Sequence, residues 1–372
     1  MKSKKIVVLT QPLWHNYGCL LQAYALQRCL KALNYEVVTD EFPRKILTPS
    51  QRMIKKAKHF VAHYFLGRKS VNPFPFIPNE RQWKEICSNT SKFVEKHIKT
   101  IDFFGGQTMP SKQMIDSFDT FVIGSDQVWR DSYGRVESYF CDFLANHKDK
   151  KVFSYAASFG VSHWQFDESR TKRLAFLAKQ FQAISLRESS GVELCESNLG
   201  VKAEHVLDPT LLLSKGEYVS LIEGVEQSEG NMMCYILDGS EEKEDFIAQV
   251  EDRRGLKAFS VMKDERGVYP SVEKWLRGFY DAKFVVTDSF HGMVFSIIFE
   301  KPFFVILNKE RGGSRFLSLL NALGLENRLV KDFDTFDWSL VHSDIDYEAL
   351  RRPLRTLVGK SQDFLIRNLE KI

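Results

Sequence analysis

The segment Thr287-Asp288-Ser289-Phe290-His291-Gly292 places a histidine where α/β proteins do their chemistry. The run Lys283-Phe284-Val285-Val286-Thr287 before it reads as a buried strand, and the stretch 293–299 after it is too apolar to be solvated on any side. A strand, a tight corner and a helix start in succession leave backbone N–H groups free at the mouth of a parallel sheet, where anions bind. Imidazole is the side chain that gives or takes a proton near neutral pH. The corner therefore predicts His291 as an acid–base residue beside an anion site to which Ser289, Phe290 and Gly292 contribute.

Four other polar clusters occupy corresponding positions. Asn16, Tyr17 and Gly18 stand before the first helix, with His15 read as an ordinary loop histidine. Ser125, Asp126 and Gln127 follow the apolar run 121–123 and lead into Trp129. Ser158 lies in Tyr155-Ala156-Ala157-Ser158-Phe159-Gly160, whose small residues permit close approach. Arg187 ends the run 184–186, and an arginine at a strand end is a natural clamp for a carboxylate or phosphate. A basic loop at 308–315 adds Lys309, Arg311 and Arg315. Taken singly, each has a plainer role: Asn16 and Asp126 can cap helices, Trp129 can pack a core, and Arg187 can pair with its neighbours. Their joint placement at strand ends favours a shared site.

The elements that hold these residues alternate. Strand 6–9, helix 20–33 and strand 36–39 open the chain, and strand–helix pairs continue to about residue 213. After a polar connection a second set runs from strand 232–237 to about 340. The pattern predicts an α/β protein with two Rossmann-like domains, 1–213 and 214–340, facing across a cleft. The last helix, within 341–372, is expected to cross back to the first domain. Residues of about 41–112 break the rhythm and read as a basic, helical insertion. Within it Met53, Ala57, Phe60, Val61 and Tyr64 share one helical face, flanked by Arg52, Lys55, Lys56 and Lys58. The expected arrangement is that this face packs on the first domain; the alternative is a peripheral contact with an anionic membrane.

Composition excludes several classes. A net charge of +4 over 372 residues, with no basic stripe, gives no reason to expect nucleic acid. The six cysteines form no Cys-x-x-Cys pair and lie apart from histidine, so no metal site is predicted and reduced thiols in a cytoplasm are expected. No glycine-rich dinucleotide fingerprint follows the first strand, and no cofactor is expected. Gly359-Lys360-Ser361 lacks the upstream glycine and strand of a phosphate-binding loop. The Asp-x-Asp pairs at 332–334 and 344–346 read as surface acid.

Six segments in order resemble the polysaccharide pyruvyl transferase family: Asn16-Tyr17-Gly18 with 21–26, 123–129, 155–160, 185–188, Asp208-Pro209-Thr210 and 287–292. The resemblance implies a glycosyltransferase-B-type architecture. It also implies transfer of pyruvate from phosphoenolpyruvate to a sugar as a ketal, in surface polysaccharide biosynthesis. On its pattern Arg187 and His291 are the donor-site residues, with the donor on the second domain and the acceptor against Asn16–Gly18 and 126–129 of the first. The sequence departs from the pattern where Ser289 replaces an arginine and Phe290 a leucine, so Lys309, Arg311 or Arg315 is expected to supply the missing charge. The expected partners are phosphoenolpyruvate and a sugar or lipid-linked oligosaccharide acceptor. Two other readings remain open: a nucleotide-sugar glycosyltransferase on the same scaffold, and a non-catalytic subunit of a polysaccharide assembly complex.

Overall fold

Two parallel sheets carry the chemistry-bearing loops at their carboxyl ends. The computed structural model describes residues 4–43, 46–68, 71–308 and 312–370. The first sheet comprises β1 (Lys5–Leu9), β2 (Glu36–Asp40), β3 (Thr100–Ile101), β4 (Thr120–Asp126), β5 (Lys151–Ala157), β6 (Ser185–Leu186) and β7 (Glu204–His205), in the order β3-β2-β1-β4-β5-β6-β7. The second comprises β8 (Met232–Tyr235), β9 (Ala258–Phe259), β10 (Phe284–Thr287), β11 (Phe303–Ile306) and β12 (Leu329–Val330), in the order β12-β11-β10-β8-β9. Strand order reverses between β1 and β4 and again between β8 and β10, which opens a crevice beyond those strand ends. All of β4 and β10 is buried, as expected of central parallel strands covered on both faces.

The helix Tyr17–Ala32 shows why its sequence is apolar nearly all round. Twelve of its sixteen residues are buried. Leu26 and Leu30 pack on Ile6 and Val8 of its own sheet. Tyr17, Leu20 and Leu21 instead join a core shared with Trp275, Met293 and Phe295 of the second domain. The final helix, Tyr347–Glu370, also spans both halves. The Tyr347 hydroxyl donates to the Lys301 carbonyl at 2.6 Å, while Phe364, Leu365 and Leu369 pack beneath the first sheet.

The basic segment departs from expectation in two ways. Its end is not an excursion, because β3 pairs in parallel with β2 through Thr39↔Thr100 and Asp40↔Ile101 and extends the sheet. Its helix Pro49–Tyr64 has no buried residue, so the apolar face does not pack on the first domain. The Thr48 and Gln51 side chains form a reciprocal cap, and Pro49 opens the first turn. Local sequence thus specifies the helix, whereas tertiary packing leaves its apolar face open.

Candidate active site

A buried ionic cluster lies under the crevice. Arg187, directly after β6, has a side chain only 1% exposed. Its Nη1 donates to Asp208 Oδ2 at 2.8 Å and its Nη2 to Asp126 Oδ1 at 3.1 Å. The face of its guanidinium lies 4.7 Å from the centre of the Phe290 ring, and Arg315 approaches the same ring at 5.5 Å. Asp208 also accepts hydrogen bonds from the Thr210 amide and hydroxyl and from Ser125 Oγ. Burial disfavours the ionised form of Asp208, but the His291 imidazole and the Arg187 guanidinium outweigh it and hold this carboxyl far below the usual range. Asp126 behaves likewise: burial opposes its charge, while Arg187, His291 and Arg315 favour it and lower its pKa. Burial, then Arg187, pushes the Arg315 guanidinium down to about 10.

His291 is 7% exposed, in the first turn of the helix Phe290–Ile298. Its Nε2 lies 3.4 Å from Asp208 Oδ2, an ion-pair distance although off the line of a hydrogen bond. The Ser289 hydroxyl accepts from the Gly292 amide and caps the helix, and Thr287 Oγ1 accepts from the Ser289 amide. The amides of Phe290 and His291 meet no acceptor among the described residues, so two first-turn donors face the crevice end of β10. Asp288, by contrast, is structural. Its carboxylate accepts from the Leu237 and Asp238 amides and from Lys243 Nζ, which ties the ends of β10 and β8 together.

Glycine is required at two places in this corner. A Cβ on Gly292 would stand 2.2 Å from Thr287 Oγ1, so the helix could not start so close to its strand. A Cβ on Gly18 would stand 2.0 Å from His291 Nδ1, across the domain boundary. Gly18 is therefore the floor against which the histidine of the other domain rests. Gly18→Ala is expected to lower turnover by about a hundredfold, because a displacement of about 1 Å at a reacting group has that cost. Wild-type steady-state kinetics in the Gly18→Ala variant would show that the contact does not set the position of His291.

The crevice has a volume of about 700 Å³, within the range of small-molecule sites. Asn16, Asp126, Gln127, Ser289, Phe290, His291 and Arg315 of the predicted set line it. Asn16 also caps its helix by accepting from the Cys19 amide. The remaining predictions are corrected by burial. Tyr17 is fully buried, stacks on Trp275 at 5.3 Å and donates to the Pro270 carbonyl, so it joins the domains and offers no face to a ligand. Ser125 and Ser158 are also fully buried, the latter donating to Glu188 Oε1. Gly18 and Gly292 shape the corner from behind. Arg187 is absent from the crevice lining: its side chain is buried, and its Nη1 and Nη2 donate to Asp208 and Asp126 of its own domain. Trp129 is fully buried, stacked on Phe140 at 4.5 Å, and cannot serve as a sugar platform. Lys309 and Arg311 lie outside the described residues.

Residues outside the predicted set complete the walls, among them His15, which is not an ordinary loop histidine. His15 stands between Trp83 and Tyr269, at 5.4 and 4.7 Å, on the lining of the crevice. Arg135 lies over the Phe42 ring at 4.0 Å, and Lys263 lines the opposite side. Asp208 is the largest omission. Its place in a strand-end Asp-Pro-Thr segment was the available signal, but nothing in the sequence shows that Arg187, Ser125 and His291 converge on it.

The profile of the family described as polysaccharide pyruvyl transferase matches residues 16–310. The chain belongs to this family. The match runs from the start of the first helix through β11, leaving out β1, β12, the 10–15 part of the loop after β1 and part of the 308–315 loop. Among curated proteins no significant relative was found. Solved structures agree in fold at low identity. The UDP-GlcNAc 2-epimerase of Neisseria meningitidis, solved with UDP-GlcNAc, is 10% identical with a TM-score of 0.52, covering 99% of this chain and 100% of its own. MnaA of S. aureus, solved with UDP, is 11% identical with a TM-score of 0.50, covering 99% of this chain and 96% of its own. These similarities establish the fold as the two-domain glycosyltransferase-B type.

Proposed function

We propose that the protein transfers pyruvate from phosphoenolpyruvate to a sugar as a ketal, with release of phosphate, during surface polysaccharide biosynthesis. The observation that carries this reading is His291, held at a helix N-terminus on the crevice wall, with the Asp208 carboxylate 3.4 Å behind its Nε2. Phosphoenolpyruvate brings a phosphate and a carboxylate. The free amides of Phe290 and His291, the Ser289 hydroxyl and the Arg315 guanidinium are the groups proposed to receive them.

In the reaction a proton is added to the methylene carbon of the donor, and the electron-deficient neighbouring carbon forms a bond to a sugar oxygen. That hydroxyl loses its proton, the bond from the same carbon to the phosphate oxygen breaks, and phosphate leaves. A second sugar hydroxyl then bonds to this carbon and loses its proton, which closes the ketal. We assign these transfers to His291: its imidazolium protonates the methylene carbon and is re-formed by the proton of the first hydroxyl, that proton leaves with the phosphate, and the freed imidazole takes the proton of the second hydroxyl. The Asp208 carboxylate backs the imidazole at its Nε2, while Arg187 and Thr210 hold that carboxylate in place. The walls at His15, Tyr269 and Arg135 are assigned to the acceptor.

Arg315 is proposed to take the place of the arginine that Ser289 replaces. Arg315→Gln should weaken phosphoenolpyruvate binding by at least about tenfold, the worth of one charge-assisted hydrogen bond. An unchanged dissociation constant, measured by calorimetry, would remove this assignment. The function itself is tested by acceptor-dependent phosphate release from phosphoenolpyruvate. Thermal stabilisation by nucleotide sugars, with none by phosphoenolpyruvate and no phosphate release, would replace this reading with glycosyl transfer.

A further inference from the structure

We propose that the helix Pro49–Tyr64 and the segment that folds onto it form a docking arm for an anionic bilayer surface. The helix buries none of its residues, yet it is strongly amphipathic in sequence. Met53, Ile54, Phe65 and Leu66, with Phe74 and Phe76 of the returning segment, are all more than half exposed. Isolated apolar side chains on a surface need no explanation, but a contiguous group of this size does. The arm is built rather than loose. His63 Nδ1 lies 2.7 Å from the Val71 carbonyl, His59 Nδ1 lies 3.1 Å from that of Asn72, and Phe60 meets Phe74 at 5.9 Å.

Charge identifies the occupant. From Phe42 to Asn79 the sequence holds eight lysines and arginines and no aspartate or glutamate. With a whole-chain net charge of +4, the rest of the protein carries −4 (4 − 8). Arg52, Lys55, Lys56, Lys58 and Arg68 form no ion pair among the described residues. A second copy meeting this face through its own arm would set Arg52, Lys55, Lys56, Lys58 and Arg68 against the same five charges. A bilayer rich in anionic lipid supplies both an apolar interior for the phenylalanines and leucines and counter-charge for the basic residues. Among the described residues no helix is long and apolar enough to cross a membrane, so the contact is peripheral.

The arm is coupled to the crevice. Trp83, in the next helix Glu80–Ile86, packs edge-on against Trp14 and His15 of the crevice wall at 5.3 and 5.4 Å. Docking therefore holds the acceptor side one short helix from the lipid surface, where a lipid-linked sugar would arrive. That last step rests on the proposed pyruvyl transfer; the docking itself does not.

The test is co-sedimentation of the full-length protein with vesicles of mixed phosphatidylglycerol and phosphatidylcholine, against phosphatidylcholine alone, at low and high salt. Binding is expected only to the anionic vesicles at low salt. Each basic residue at such a surface contributes about fivefold to partitioning, so Lys55→Glu/Lys56→Glu/Lys58→Glu should lower it by at least about a hundredfold. Phe65→Ser/Leu66→Ser should lower it at unchanged charge. Neither variant touches a buried residue, so the thermal transition and phosphate release with a soluble sugar acceptor should stay at wild-type values. Absence of low-salt binding by the wild-type protein, or binding unaffected by both variants, would overturn the proposal. So would a wild-type dimer in sedimentation velocity that Phe65→Ser/Leu66→Ser dissociates. Failure of pyruvyl transfer with vesicle binding intact would overturn only the functional reading.

Discussion

His291→Ala and His291→Gln should each lower acceptor-dependent phosphate release by at least about a hundredfold, the usual contribution of a positioned acid–base group. The two variants separate chemistry from packing. Alanine removes the ring that rests on Gly18 and leaves a void between the domains, so it can also loosen the crevice. Glutamine keeps a polar side chain of similar reach but cannot cycle a proton near neutral pH. The amides of Phe290 and His291, Ser289 and Arg315 remain in both, so phosphoenolpyruvate should still bind. The expected signature is therefore a collapse of kcat with donor affinity within a few-fold of wild type. If glutamine retains near-wild-type turnover, proton transfer lies elsewhere and the assignment of His291 is lost. If donor affinity and turnover fall together, His291 acts in binding.

The strand-end loops were legible in sequence because period and composition mark them. A β-branched run, a polar corner and an apolar helix leave few arrangements for 283–299, and the structure places that corner at the crevice. The same reasoning could not tell polar side chains that line the crevice from those that hold it. Asp126 and Ser125 are adjacent, yet Asp126 contributes to the lining and Ser125 is fully buried. Asp126 ends β4 with a φ of 69°, a conformation that sequence period does not reveal. For Arg187, a strand-end arginine suits a ligand and a buried carboxylate equally well; only the fold brings Asp126 and Asp208, 61 and 21 residues away, to its two nitrogens. Tyr17 was misread because sequence does not say that its helix is shared by two cores. The helix Pro49–Tyr64 failed differently. Its amphipathic pattern predicts packing on the first domain, but among the described residues the helix buries none of its own and meets the returning segment at Phe74.

Arg187→Met should destabilise the protein by about 3–5 kcal/mol, the range found when one member of a buried ion pair is removed. Methionine fills much of the space but leaves the carboxylates of Asp126 and Asp208 without the guanidinium that each contacts. Guanidinium chloride unfolding at neutral pH is the measurement. Its pH dependence distinguishes lost charge pairing from lost packing. In the wild-type protein the folded pKa values of both aspartates lie below their ordinary value of about 3.9. Their stabilising contribution is therefore complete above about pH 4 and is lost only as pH falls further, through the folded values. In Arg187→Met the same buried carboxyl groups should retain protons to higher pH than in the unfolded chain, so the folded state then binds more protons and stability falls as pH rises. The deficit of the variant should accordingly be largest near neutrality and shrink as pH is lowered toward about 4. A second substitution, Asp208→Asn, should recover part of the neutral-pH loss by removing one unpaired charge. A deficit that is constant from neutral pH to about pH 4 would mean that Arg187 acts by volume alone. A variant as stable as wild type would mean that the ionic cluster contributes nothing to the fold, and Arg187 would then again be a candidate for direct contact with the donor.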